Sequence, residues 1–447
     1  MKHRERVIAA LEHREADRCP MQVSFTPEFA ERLRADLEGR AASVQGTGHG
    51  EQGTAAGPGA ETGRPFGDAE TDSPPAGPRG RPGPAYAGTS PLAAAPSVGP
   101  AGEGAHGHNP HGGGNTYELE RAIGEDLLLT SVGWANSYYQ GDGVYTDEWG
   151  VTWRPVPYAT PFGPGRYTEM VQHPLAEDGA ISGYHAPDPN RPELYADAQW
   201  TLDRFKDEFW ITGVTVTTIW ETAWALRGYD RLLSDLVTAP ELAEAILDIP
   251  YRYHLAAARR LVEMGVDMIW IGDDVGSQRA MLISPAHWRR FLKPRMAGFI
   301  AALKAANPRV KVAYHSDGVV WPILPDLIEI GLDILNPVQP ACMDPAELKA
   351  RYGEQLCFWG SIDEQQTLPF GTAEEVRGEV LERLRTIGRG GGLIIGPTHH
   401  VQLDTPMENF WSMVNAITGT PYAALAGARR APYNGGRLET ALTAGTG

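Results

Sequence analysis

The side chains best suited to chemistry are imidazoles and carboxylates gathered in a few short stretches: His315-Ser-Asp317, Asp273-Asp274 and His399-His400, with Glu221 and Gln339 alone. Alternate residues of an extended segment point the same way, so His315 and Asp317 can converge on one ligand. With His399 or His400 they would surround a metal with two imidazoles and one carboxylate, leaving a position open. The competing reading of the pair is local: Asp317-Gly318 forms a turn and His315 satisfies a nearby hydrogen bond. Of Asp273 and Asp274, one that faces a dry cleft could act as acid, base or cation clamp; helix capping or solvation of the loop is the alternative. Asp273 is the candidate for proton transfer or substrate orientation, His315 and Asp317 with His399 form an acid/base cluster if no metal is held, and Asp274, Glu221 and Gln339 are candidates for substrate contact, with plain loop solvation as the other reading of the last two. The stretch 145–153, Tyr-Thr-Asp-Glu-Trp-Gly-Val-Thr-Trp, reads as a hairpin whose tryptophans either wall a pocket or pack on the domain beneath.

These residues share a place in the pattern. Short apolar runs predict strands over 21–25, 212–219, 267–272, 310–314, 334–335, 356–359 and 393–396, and each of the later six is followed by a polar cluster. Helical periodicity covers 2–13, 229–236, 240–263, 284–305, 321–330, 344–352 and 372–387, with Ser284-Pro285 and Asp344-Pro345 as N-cap plus first-turn proline starts. Strand-then-helix units in this number predict an α/β fold, a (β/α)8 TIM-like barrel with some distortion, whose strand ends meet at one mouth. The glycines Gly388, Gly390, Gly391 and Gly392 precede a strand instead of following one, so they cannot form a phosphate loop. No GxGxxG follows a strand, and dinucleotide or P-loop nucleotide binding is excluded.

The 447 residues suffice for two or three domains, or for one large α/β domain with extras, and 42% of them are apolar. A formal charge of −17 argues against nucleic acid as a partner. Three cysteines, Cys19, Cys342 and Cys357, are too widely spaced for a disulfide framework or a cysteine-built zinc site and fit a reducing compartment. No run is long enough to span a membrane, and the charged start carries no apolar leader, so the expected location is the cytoplasm. Residues 41–114 hold 19 Gly and 11 Pro in 74 positions. Such a stretch buries too little apolar area to offset its ordering entropy, and it is predicted to be a disordered low-complexity insertion. Four of the 13 histidines, His49, His106, His108 and His111, fall in it and read as solvated filler. The expected organisation is a single barrel domain from 1–40 and 115–430, with a flexible tail over 431–447.

Several stretches, in this order, resemble the uroporphyrinogen decarboxylase superfamily: Arg4-Glu-Arg-Val-Ile-Ala-Ala-Leu11, Ala16-Asp-Arg-Cys-Pro20, Gly265-Val-Asp267 with Asp273-Asp274, Ser284-Pro285 and Phe291-Leu-Lys-Pro294. His315-Ser-Asp-Gly318, Gly331-Leu-Asp-Ile-Leu-Asn-Pro-Val-Gln339, Gly360-Ser-Ile-Asp363 and Asp404-Thr-Pro-Met-Glu-Asn409 complete it. The resemblance implies a (β/α)8 barrel and one of two chemistries. Members that decarboxylate porphyrinogens clamp substrate carboxylates with an Arg-Gln-Ala-Gly-Arg run after the first strand; Gln22-Val-Ser-Phe-Thr-Pro27 stands there instead, with no arginine for bidentate binding. The corrinoid-dependent methyltransferase branch holds zinc through a His-x-Cys pair and a later Cys. Those positions fall on His315, Asp317 and His399, so a His-Asp-His set replaces His-Cys-Cys and would accept Zn²⁺ or another divalent metal. The chain is thus expected to lie nearer the methyltransferases. A metal-activated nucleophile would take a methyl group from a methylated small molecule or from a corrinoid delivered by a partner protein. Decarboxylation of uroporphyrinogen or a related acid is the alternative, and a non-catalytic small-molecule or corrinoid-protein binding module is the second.

Overall fold

The computed structural model describes residues 1–46, 116–132 and 143–425. In chain order its strands are β1 (Leu127–Ser131), β2 (Tyr145–Thr146), β3 (Thr152–Thr160), β4 (Gly163–Gln172), β5 (Trp210–Val216), β6 (Met268–Gly272), β7 (Lys311–His315), β8 (Ile334–Asn336), β9 (Cys357–Ile362) and β10 (Leu393–Pro397). β1 and β5 to β10 form one curled parallel sheet in that order, and β2 to β4 form a separate antiparallel meander. The predicted strand at 21–25 joins β10 through one isolated parallel bridge, Met21 to Ile395, and the segment beyond β10 through another, Phe25 to Val401. On its other side the Asp126 amide donates to the Met21 carbonyl at 2.9 Å. The segment therefore fills the gap between β10 and β1 and gives a distorted (β/α)8 barrel. Gly396 permits this closure, because a Cβ there would run into the Gln22 carbonyl.

Ion pairs hold the seam. The fully buried Asp126 carboxylate accepts from Arg18 Nη1 at 2.6 Å, Arg6 Nη1 at 3.1 Å and the Met21 amide at 2.9 Å, and it lies 2.9 Å from His3 Nδ1. Arg4 forks onto Asp267 at the start of β6. The N-terminal helix His3–Leu11 is thereby fastened across one end of the barrel. Its Val7 and Leu11 join Leu127, Trp210, Met268, Trp270, Ala313, Ile334, Cys357, Trp359 and Ile394 in the apolar interior. The strand members of that set recur with a period of two, as inward-facing positions must. With this end plugged, chemistry is left to the other, where the strands finish.

Several elements differ from expectation. β1 and the helices Ala196–Phe205 and Trp220–Arg227 were not read from the sequence. The helix expected over 284–305 is broken into Pro285–His287, a π turn over Trp288–Leu292 and Lys293–Ala306. Pro294 explains the break, since it has no N–H to continue the ladder. The hairpin at 145–153 is the start of the larger meander, and its tryptophans pack inward. Trp149 and Trp153 are buried, and Asp147 accepts from Trp153 Nε1 at 2.7 Å and from the Trp149 amide at 2.9 Å. The helix Pro27–Gly46 runs past the boundary expected at 40. The rest of the predicted insertion, with its four histidines, and the tail over 431–447 lie outside the described residues. No helix among the described residues is long and apolar enough to cross a membrane.

The helix Pro240–Met264 buries His254, which stacks beside Trp149 and holds its imidazole down at about 3 for want of solvation. The unfolded chain binds a proton at this histidine below about pH 6.5, and the folded chain does not until near pH 3. Stability contributed here is complete above pH 6.5 and is expected to fall by about 1.4 kcal/mol per unit between those values. Urea titrations of the wild type and of His254→Phe across that window check this: the wild-type slope should be the steeper one.

Candidate functional site

The mouth is assembled by strand register. β6, β7 and β8 place Gly272, His315 and Asn336 side by side. Ala313 lies in the apolar interior and His315 is two residues further on, so the imidazole rises from the same inner face, edge-on to Trp270 at 5.8 Å between centroids. Asp317 follows in the loop, and His399 stands two residues beyond β10. One ligand atom each from His315, Asp317 and His399 lies within 4.8 Å of the others. The rings of His315 and His399 are 6.1 Å apart, edge to face.

The tautomer of His315 is set by its neighbour. Asn336 Nδ2 donates to the Trp359 carbonyl at 3.1 Å, which turns Asn336 Oδ1 toward His315 Nδ1 at 2.7 Å. An amide oxygen can only accept, so in the neutral ring the proton sits on Nδ1 and the Nε2 lone pair is free to bind. Nε2 faces Asp274 Oδ1 at 3.6 Å and Asp317 Oδ1 at 3.8 Å. Burial and the adjacent His315 hold His399 down at about 4, so its imidazole is neutral near pH 7. Two imidazoles and a carboxylate fit a divalent cation of intermediate hardness.

Asp273 and Asp274 part company at the end of β6. Asp273, 2% exposed, accepts the Ile219 amide at 3.0 Å on both oxygens and the Glu221 amide at 3.0 Å. It caps the helix Trp220–Arg227, while burial pushes its carboxyl up to about 7. Asp274 turns the other way, accepts the Asp317 amide at 2.8 Å and approaches His315. Burial and the Asp317 charge raise its carboxyl above the usual range. Asp273→Asn is expected to keep turnover within a few-fold and stability within about 1 kcal/mol, because Oδ1 alone can take both amides and Asn caps as well as Asp. Steady-state kinetics beside a thermal melt check it.

The loops carrying Asp274 and Asp317 touch through two glycines. A Cβ on Gly276 would collide with the Asp317 carbonyl, and one on Gly318, at φ +79°, would sit 2.6 Å from the Ser277 backbone. The Val319 amide donates to the Ser277 carbonyl at 2.9 Å, and the Val275 amide to Ser316 Oγ at 3.1 Å. Gln339 Oε1 accepts the Gly318 amide at 2.6 Å, so this candidate substrate contact braces the turn. Glu221 is buried, and burial together with Asp274 and Asp273 raises its carboxyl well above the usual range. The loop after His399 is tied down by Arg32, whose Nη1 donates to the carbonyls of Leu403 at 2.9 Å and Thr405 at 3.1 Å.

Two residues absent from the sequence candidates belong to this mouth. Asn336 is one. Glu364, just past β9, is the other: it is buried, and burial, Asp404 and Asp317 raise its carboxyl well above the usual range. Both fall in polar clusters at strand ends, which was the available signal.

The chain matches the uroporphyrinogen decarboxylase family over residues 161–419. It is 31% identical over 201 residues to a methylcobamide:CoM methyltransferase of Methanosarcina barkeri, which covers 43% of this chain and 56% of that protein. The chain thus spans little more than half the length of the methyltransferases it matches. To a uroporphyrinogen decarboxylase of Neisseria gonorrhoeae it is 23% identical over 254 residues, covering 55% of this chain and 69% of that one. The structure of a methyltransferase from Methanosarcina mazei superposes with a TM-score of 0.58 at 18% identity, over 94% of this chain and 99% of that one, which fixes the shared fold. The chain belongs to the uroporphyrinogen decarboxylase family.

Proposed function

We propose that the protein is a metal-assisted methyltransferase that moves a methyl group from a methylated corrinoid, brought by a partner protein, or from a methylated small molecule, to a nucleophile bound at the mouth. The observation that carries this reading is the convergence of His315, Asp317 and His399 ligand atoms within 4.8 Å. These three would hold the cation, zinc being the first choice. The cation supplies Lewis acidity that lets a thiol or hydroxyl shed its proton near neutral pH. With one carboxylate and no thiolate, the set donates less charge than a thiolate site and suits an oxygen acceptor as well as a sulfur one.

The chain's own groups do the rest. Asn336 and the Gly276–Gly318 contact orient the donors before substrate arrives. Asp274, its carboxyl raised by burial and by Asp317, would receive the acceptor's proton as the acceptor–methyl bond forms and the donor–methyl bond breaks, the electron pair of that bond leaving with the donor. Glu221, its carboxyl raised well above the usual range by burial, Asp274 and Asp273, stands beside that aspartate. The groups that act on these carboxyls are other carboxylates and the two imidazoles. No arginine stands at 22–27 to clamp the carboxylates of a porphyrinogen, which supports methyl transfer over decarboxylation. Metal analysis of the purified protein, followed by demethylation of methylcobalamin with a small thiol and with a phenol as acceptors, tests the reading. About one equivalent of divalent metal and acceptor-dependent loss of the methyl group are expected. Protein that binds no metal overturns it.

A further inference from the structure

We propose that Asn336 is the positioning residue that makes His315 a ligand at all, by fixing which of its nitrogens is left bare. The inference rests on the metal reading for its purpose, but not for its geometry. His315 and Asn336 are direct partners across the β7–β8 ladder, and the Ser316 amide donates to the Asn336 carbonyl at 3.0 Å. The two side chains therefore leave the same inner face at adjacent positions. Asn336 is 4% exposed, so no water competes for its amide. Its Nδ2 is committed to the Trp359 carbonyl at 3.1 Å, which leaves only an acceptor for His315 Nδ1 at 2.7 Å.

An unassisted neutral imidazole samples both tautomers. If the proton moved to Nε2, it would point between Asp274 and Asp317, where either carboxylate would welcome it. That state is a proton-capped histidine, unable to bind a cation. The Asn336 acceptor makes the competing state costly, because it would leave a buried amide oxygen facing a ring lone pair. Trp270 stands edge-on to another side of the ring. A hydrogen bond from the far nitrogen also raises the basicity of the ligating one and fixes ring orientation.

The experiment is long-range ¹H–¹⁵N correlation of the histidine side chains, in metal-free protein at pH 8, with Zn²⁺ titration by competition against a chromophoric chelator. Wild type, Asn336→Leu and Asn336→Asp are compared, each with a circular dichroism spectrum. Wild-type His315 should show the Nδ1–H tautomer before any metal is added. Asn336→Leu should mix the tautomers and weaken Zn²⁺ binding about 10–100-fold. Asn336→Asp restores an acceptor and should recover both signals. An Nε2–H tautomer in the metal-free wild type overturns the proposal, and so does unchanged Zn²⁺ affinity in a folded Asn336→Leu. Wild type that keeps Nδ1–H but binds no Zn²⁺ overturns the metal reading instead and upholds the role of Asn336 in setting the tautomer. If Asn336→Leu does not fold, the wild-type spectrum and Asn336→Asp still decide.

Discussion

His315→Ala protein is expected to come off a chelator-free column without its metal and without methyl-transfer activity, yet with its melting temperature nearly intact. The ring lies at the edge of the apolar interior and contacts Trp270 only edge-on, so its removal takes little from the core. It takes more from the site. Only His399 and Asp317 would remain among the converging donors, and two-ligand sites hold divalent cations poorly. Loss of a residue that merely orients a ligand weakens metal sites about 10–100-fold, and loss of the ligand should exceed that. Lewis-acid assistance is worth several kcal/mol, so turnover should drop on the order of a thousandfold. Plasma emission analysis and methylcobalamin demethylation measure the two effects on one sample. His399→Ala should behave alike, whereas Asp273→Asn should keep its metal. Full metal occupancy in His315→Ala would remove the histidine from the ligand set.

The second large effect is expected at the opposite end of the barrel. Asp126→Ala removes a carboxylate with no solvent exposure from between Arg6 and Arg18, which are themselves 14% and 12% exposed. It also strips the Met21 amide of its acceptor at the seam between the 21–25 segment and β1. Breaking one side of a buried pair leaves uncompensated charge and costs about 3–5 kcal/mol. Asp126→Asn keeps the acceptor for Met21 and should lose less. Denaturant unfolding with an unchanged m-value, beside the wild type, measures the difference. A loss below about 1 kcal/mol in Asp126→Ala would mean that the seam is held by the backbone contacts alone. Because the pairs are buried, added salt should rescue little.

What the sequence disclosed follows from which forces are local. The caps at Ser284 and Asp344 form as read: Ser284 Oγ accepts the His287 amide at 3.1 Å and Asp344 accepts the Ala346 amide at 2.7 Å. His315 and Asp317 were legible because strand periodicity is local too. The helix Trp220–Arg227 was not, and its cap explains why. No side chain of its own start serves as N-cap; the acceptor is Asp273, supplied from the end of another strand. The same contact turns Asp273 toward that helix and leaves Asp274 facing His315, an arrangement that two adjacent carboxylates in a sequence do not reveal. β1 was missed because a run of Leu-Leu-Leu-Thr is too short to distinguish strand from helix. Its identity is settled by pairing with β5. Asn336 escaped notice for a related reason. An asparagine at a strand end usually answers to solvent, and only the β7–β8 register puts this one against a histidine. His399 and His400 were reached together from the end of the last strand, and the family resemblance chose His399, since eighty-odd intervening residues carry no spacing rule.

The glycine contact between the loops after β6 and β7 has a bearing on how such a site changes over generations. The separation of Asp274 from Asp317 is fixed by backbone touching backbone at Gly276 and Gly318 and by the Asp317 amide on the Asp274 carboxylate, none of which uses the Asp317 side chain. The identity of the donor at position 317 is therefore uncoupled from its location. A thiolate or a carboxylate can occupy that position through one codon change without the frame being rebuilt. The frame held by the two glycines would therefore keep its shape under either donor at that position.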